Sequence, residues 1–404
     1  MKIAISNLIY RPLSSLLCWL LIMMSVAIIS ALVIIKEQVQ QQFINSAQGF
    51  DLVLGAKGSP LQLILSAIYH IDAPTGNIKV EEAEKWMKHP YVGEAIPLAF
   101  GDSYKQHSII GTDSSYVHHY QGKLSAGRIF LKPYELVIGA KAAQDLGLKV
   151  GDKIFSTHGS DEHGEVHEEK PYVVTGILAQ TQTVIDNLLI GDIKTVWQLH
   201  EHHDEHSGEH SDEHEAEEAD HSENYYTAVL VRFRNPVGKI SLPRTINERS
   251  AMMAAVPAIE LNRLFSLFDT AANMLKSIAF VIMVLAGLSV FVTLFNSLKD
   301  RNYEMALLRT MGAQRTTLAL MILAEGTILA LFGLVSGLLV GRLIVHFSQQ
   351  AFQADYNIQL SAWRFYGSDE GTLILITILI SLLASFIPAV RASKTNIHKT
   401  FSHA

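Results

Sequence analysis

Cysteine is nearly absent from this chain. Cys18 is the only one in 404 residues, so no intramolecular disulfide can form and every folded part must hold by its core. Charge is also sparse, at 18% of residues, and four long stretches are almost or wholly without it. No Gly-x-x-x-x-Gly-Lys-Ser/Thr loop is present to cradle a nucleotide's phosphates, and no Gly-x-Ser-x-Gly elbow to expose a nucleophile. The expectation is a chain that is not an enzyme and leaves any nucleotide chemistry to another polypeptide.

What remains is dominated by those four apolar stretches: Leu16 to Ile35, Ser277 to Phe295, Leu318 to Val345 and Thr372 to Ala392. Each reaches or exceeds the roughly 18 residues that separate a membrane-spanning helix from a buried core helix. The first is longer than the apolar core of a secretory signal, and no small-x-small cleavage site follows it, so it reads as a retained anchor. Four spans place both termini on one side. Lys2 and Arg11, then Lys299, Arg301, Arg309 and Arg315, then Arg391, Lys394 and Lys399 flank the spans on that side, whereas the loop after the third span carries Asp355, Asp369 and Glu370 against Arg364. By the positive-inside bias the termini and the 296–317 loop are cytoplasmic, and the large region between the first two spans is outside. The expected architecture is a membrane protein of four transmembrane α-helices with a large mixed α/β extracytoplasmic domain between helices 1 and 2.

That outer region alternates strand and helix patterns. Tyr134 to Ile138, Tyr172 to Leu178 and Tyr226 to Phe233 are β-branched and aromatic runs that predict strands, with a turn and strand over Val150 to Ile154. Ala140 to Leu146 predicts a helix closed by Gly147, and Val80 to Lys88 another before Pro90. At the borders, Lys36 to Phe43 and Leu261 to Lys276 carry helical patterns that run into the first two spans. The second border places Leu261, Leu264, Phe265, Phe268, Ala271 and Leu275 on one face. Stalk helices joining the outer domain to the spans are expected, with amphipathic interface helices as the alternative.

The loop after the second span has the most specific pattern. Residues 302–315 read Asn-Tyr-Glu-Met-Ala-Leu-Leu-Arg-Thr-Met-Gly-Ala-Gln-Arg, a short helix and turn with Met305, Leu307, Leu308 and Met311 available for burial. The chain ends its last span on Ile387-Pro-Ala-Val-Arg-Ala-Ser-Lys. Here the sequence resembles the MacB/FtsX-type ABC transporter permeases, including FtsX-like and LolC/LolE-like members, whose loop reads roughly E-x-x-x-L-R-x-x-G-A and whose last span closes on P-A-x-R-A-S. Residues 4–11 and 127–154 look like that family's cytoplasmic amphipathic helix and MacB-like periplasmic core. The resemblance implies that Glu304, Leu308, Arg309, Gly312 and Ala313 belong to a coupling helix docking on a separate ATPase. It also implies a second permease copy, as homodimer or heterodimer, an adaptor or lipoprotein outside, no nucleic acid, and residence in a bacterial cytoplasmic (inner) membrane. The domain division follows: 1–35 as cytoplasmic helix and first span, 36–276 as core domain with stalks, and 277–404 as FtsX-like permease domain.

Three features call for separate readings. Gly333, Gly337 and Gly341 recur every fourth residue in the third span, a flat stripe for close helix approach either within the chain or in a dimer. Glu325 lies well inside the same span, where lipid exposure is expensive; it should face protein or water, most simply as a structural hydrogen bond. Arg342, near the outer end, is expected to snorkel. Finally, His200 to Glu223 contains eleven Asp and Glu and no Lys or Arg; this exceeds the net charge of −7, so the rest of the chain is net positive. In that loop His202, His206, His210 and His214 would form one stripe if helical, and are candidate ligands for Zn²⁺ or another divalent metal. A solvated low-complexity loop is the alternative. The functional expectation is a permease subunit that turns ATP hydrolysis by a separate ATPase into movement of its outer domain, for mechanotransmission, export or release of a lipoprotein or peptide. The alternative is a metal-responsive membrane sensor or regulator of an outer partner.

Overall fold

The computed structural model describes residues 12–105, 107–158, 170–206, 224–356 and 360–394. Two compact units divide the chain, Gln41–Phe265 and the pair Met1–Gln40 with Ser266–Ala404.

The unit Gln41–Phe265 is mixed α/β. Its strands are β1 (Leu52–Ala56), β2 (Ile78–Lys79), β3 (Val92–Tyr104), β4 (His107–Thr112), β5 (Leu124–Gly127), β6 (Glu135–Ile138), β7 (Lys153–Ile154), β8 (Thr157–His158), β9 (Tyr172–Leu178), β10 (Leu189–Asp192), β11 (Tyr225–Tyr226), β12 (Ala228–Phe233) and β13 (Met252–Ala255). The main sheet runs β13-β1-β12-β3-β4-β10-β6-β9-β5, with β7 on β9 and β8 on β3, while β2 and β11 form a separate ribbon. Most pairs are antiparallel, but β4 with β10 and β6 with β9 are parallel. β3 is the longest strand, pairing with β12 through its first half and β4 through its second, with a register shift between Phe100 and Asp102.

Because side chains alternate along a strand, this sheet buries two faces. Val53, Ile96, Leu98 and Leu230 enter one core with Leu63, Ile68 and Tyr116. Leu52, Leu54, Val229 and Val231 enter another with Ile246 and Met252. β9 shows the same logic within one element, since Tyr172, Val174, Gly176 and Leu178 are buried and the residues between them are half-exposed. The helices of this unit begin in the last turns of α1 (Pro12–Ala47), which starts in the other unit, and continue as α2 (Pro60–Ile64), α3 (Val80–Met87), α4 (Ser114–His119), α5 (Ala140–Leu146), α6 (Ile193–His206) and α7 (Pro236–Arg249). α5 ends on Gly147 at φ 66°, the left-handed conformation for which glycine carries no Cβ penalty. The strand expected from Tyr134 starts one residue later, because Tyr134 itself adopts φ 65°. The Tyr226 run divides into β11 and β12.

The other unit is built on four helices long and apolar enough to cross a membrane: α1, α8 (Pro257–Asp300), α10 (Arg315–Tyr356) and α11 (Gly367–Ser393). α9 (Asn302–Thr310) lies between α8 and α10. Cys18, Ile22, Val26, Met283, Val290, Leu294, Ile322, Leu329 and Leu373 share its core. Small polar groups hold the helices together, as expected where lipid and side chains are equally apolar. Cys18 Sγ is 3.1 Å from Ser289 Oγ, Trp19 Nε1 donates to Ser336 Oγ at 3.0 Å, and Ser381 Oγ donates to the Gly326 carbonyl at 3.0 Å.

Of the face along Leu261 to Leu275, Leu261 and Phe265 enter the core of the unit Gln41–Phe265, whereas Phe268 and Leu275 are exposed. One expectation needs correction. Glu370, placed by charge in a loop, belongs to the first turn of α11, where an acidic group meets the positive end of the helix dipole.

Candidate functional site

α9 is nine residues long, too short to persist alone in water. Its ends explain its persistence. Gly312 has φ 97°, Ala313 N–H donates to the Leu308 carbonyl at 3.0 Å, and Gly312 N–H donates to the Arg309 carbonyl at 3.1 Å. These are the two bonds of a Schellman stop. Four of the five residues singled out in this loop, Leu308, Arg309, Gly312 and Ala313, therefore meet in the helix terminus. The fifth, Glu304, lies in the first turn, and Arg301 Nε donates to its Oε2 at 2.8 Å.

Burial divides the apolar residues of α9 in two. Met305 and Ala306 are buried, and Leu308 is half-buried against the core of the four long helices. Tyr303, Leu307 and Met311 are 52%, 46% and 78% exposed. Their spacing of four places them on one stripe. Leu307 and Met311, as available for burial as Met305 by their apolar character, stay exposed. Hydrophobicity alone could not separate the two faces; the period of four from Tyr303 was the available signal.

Among the described residues of this unit, two ion pairs involve a buried carboxylate. Arg301 Nη1 is 3.5 Å from Glu325 Oε1, and Glu325 is 2% exposed. The expectation that Glu325 faces protein holds, and an arginine is among its partners. Arg342 Nη2 donates to Glu370 Oε2 at 2.9 Å, and Ser30 Oγ donates to Glu370 Oε1 at 3.2 Å. Arg342, which its place near the end of the span would let snorkel, is instead held in a pair with the buried Glu370. The acid was invisible as a partner while it was read as loop.

The glycine stripe packs within the chain. A Cβ on Gly333 would lie 2.6 Å from Ile22 Cγ2, one on Gly337 2.8 Å from the Met23 carbonyl oxygen, and one on Gly341 2.9 Å from that of Ala27. The three glycines admit α1.

In the unit Gln41–Phe265 the last turn of α1 is capped by side chains. Tyr69 Oη donates to the Phe43 carbonyl at 2.7 Å, and His119 Nε2 donates to that of Gln48 at 3.0 Å. His119 stacks on Phe50 with ring centroids 3.8 Å apart, and a Cβ on Gly49, at φ 96°, would meet its ring at 2.6 Å. Behind this contact His70 Nε2 is 3.0 Å from Tyr116 Oη; burial pushes the His70 imidazole down to about 3. On an exposed edge, the bidentate contact with Arg128 holds the Glu135 carboxyl down at about 2.

α6 extends through His206, so His202 and His206 are one turn apart on its backbone. His210 and His214 lie outside the described residues.

Residues 15–237 match the family described as the MacB-like periplasmic core domain, and residues 276–397 match the FtsX-like permease C-terminal family. Together these matches cover most of the chain, the first alone more than half. The lipoprotein-releasing system transmembrane protein LolC of Neisseria meningitidis is 21% identical over 335 residues, 76% of this chain and 75% of that protein. An uncharacterized ABC transporter permease of Methanocaldococcus jannaschii is 24% identical over 137 residues, 32% of this chain and 34% of that one. The crystal structure of the periplasmic region of MacB from Actinobacillus actinomycetemcomitans aligns with 55% of this chain and 98% of its own, at 12% identity and a TM-score of 0.35.

Proposed function

From a chain that belongs to the MacB/FtsX-type permeases of ABC transporters, we propose a membrane subunit that carries the work of a separate ATPase to its outer unit. Members of this family are multi-pass membrane proteins that act with an ABC ATPase subunit. The observation that carries the reading is the exposed stripe Tyr303, Leu307 and Met311 on α9. An apolar stripe on a short, firmly terminated helix between two spans supports a docking surface, and the Schellman stop fixes its length. Glu304, Arg309, Gly312 and Ala313 then shape that helix, and the stripe meets the ATPase.

Mechanical transmission is favoured over conduction by the charges inside the membrane unit. Glu325, Arg342 and Glu370 lie in ion pairs, which neutralise one another and supply no lining for a polar passage. The outer unit then acts on a substrate beyond the membrane, as in export or release of a lipoprotein or peptide. Two permease copies in a bacterial inner membrane, with the outer unit extracytoplasmic, complete the assembly. The run of histidines continuing from α6 would add a divalent-metal response.

Leu307→Asp or Met311→Asp is the test. Each should abolish co-purification of the ATPase while the chain still inserts, and wild-type retention of the ATPase in both would sink the docking surface. Sidedness is checked in a Cys18→Ala background: an impermeant thiol reagent should reach Lys123→Cys from outside and not Thr310→Cys, and the opposite labelling would overturn the arrangement.

A further inference from the structure

One residue, Arg301, separates α8 from α9, with φ −104° and ψ 16° breaking the helical path. Its backbone belongs to both helices. The N–H donates to the Ser297 carbonyl of α8 at 3.1 Å, and the carbonyl accepts from Met305 N–H of α9 at 3.0 Å. Its side chain reaches a third helix. Nε donates to Glu304 Oε2 at 2.8 Å, and Nη1 lies 3.5 Å from Oε1 of Glu325 in α10.

The two carboxylates differ sharply in surroundings. Glu304 is 60% exposed, so its pairing contributes little. Glu325 is 2% exposed and ten residues into α10, about 15 Å along its axis at ~1.5 Å per residue. A buried carboxylate is costly whenever its cation retreats. The Arg301 side chain is itself only 18% exposed, and Nη1 is buried without a hydrogen bond. The pair is therefore at ion-pair distance and not bonded. Movement of α9 towards α10 closes the gap, whereas movement away weakens the hold on a buried charge. The contact is asymmetric by construction.

We infer that Arg301 and Glu325 are positioning residues for coupling: they set the angle of α9 against α10 and make displacement of a docked ATPase displace the third long helix. This rests on the reading of α9 as the ATPase contact. Gly312 limits where α9 ends; Arg301 sets where it starts and what it is attached to. The buried acid, expensive if it served only packing, thereby acquires a use in transmission.

The test uses the full chain with its co-purifying ATPase in lipid nanodiscs. Glu325→Gln and Arg301→Gln should retain the ATPase yet lower its kcat in the complex on the order of tenfold, the size of an ordinary coupling free energy. The KM for ATP should stay within about twofold, as expected when binding is untouched. Arg301→Lys should keep most of the activity. Spin labels at Met311→Cys and Leu320→Cys, in a Cys18→Ala background, should report a broader distance distribution in Arg301→Gln than in the parent. Normal kcat in Glu325→Gln and Arg301→Gln, with ATPase binding lost in Leu307→Asp, would overturn the inference and leave the docking reading intact. Retained binding in Leu307→Asp would instead remove the docking reading. If Glu325→Gln fails to insert, the partly exposed Arg301 decides: an unchanged distance distribution and kcat in Arg301→Gln refutes the proposal.

Discussion

The phenol of Tyr120 donates a hydrogen bond to the carbonyl of Ser46 across 3.1 Å, and both residues are buried. The last carbonyls of a helix lack intrahelical partners, so the end of α1 is satisfied by side chains of the unit Gln41–Phe265. Tyr120→Phe leaves the Ser46 carbonyl without this donor and should destabilise that unit by about 1–2 kcal/mol. Urea unfolding followed by tryptophan fluorescence would check it, and an unchanged midpoint would mean that the cap contributes nothing.

Burial of His70 gives the unit Gln41–Phe265 a pH dependence whose sign follows from the downward shift of its imidazole. Its folded pKa of about 3 lies below the unfolded value near 6.5, so its contribution is full above about pH 6.5 and is lost as pH falls towards 3, with a limiting slope of about 1.4 kcal/mol per pH unit. His70→Asn, whose side chain tolerates the φ of 55° found there, should flatten the dependence of stability on pH between 7 and 4.5. Parallel curves for the two proteins would exclude His70 as the source.

Gly337→Val should separate α10 from α1. The new Cβ would approach a backbone oxygen to 2.8 Å, and overpacking of this kind costs about 1–3 kcal/mol. Gly371→Ala, with nothing within 4 Å of its Cβ, is the control. Thermal aggregation in detergent should distinguish the two; equal midpoints would show that α1 moves aside freely.

Deleting residues 200–221 should remove most Zn²⁺ binding measured by isothermal titration of the full chain, and binding to the parent should weaken from pH 7.5 to 5.5 as protons compete for imidazole. Stability without metal should barely change, because the deletion begins after Leu199, which is buried, and among the described residues takes only the last turns of α6. Zinc affinity that survives the deletion would place the ligands elsewhere.

The sequence disclosed whatever depends on local pattern. The four spans follow from run length, and the helix Ala140–Leu146 and strand Tyr172–Leu178 follow from periodicity. The stop at Gly312 follows from its place after Arg309. What stayed hidden depends on partners distant in the chain. Arg342 and Glu370 are 28 residues apart, and Ser30 joins them from 340 residues away, so no window of sequence joins them. The exposure of Leu307 beside buried Met305 was hidden for another reason, since both are simply apolar.

Phe43 and Phe265 place their ring centroids 6.2 Å apart in a T-shaped contact, and they stand within three residues of the two ends of the unit Gln41–Phe265. A folded insertion whose entry and exit touch makes little demand on its host: a different module with equally close ends could occupy its place.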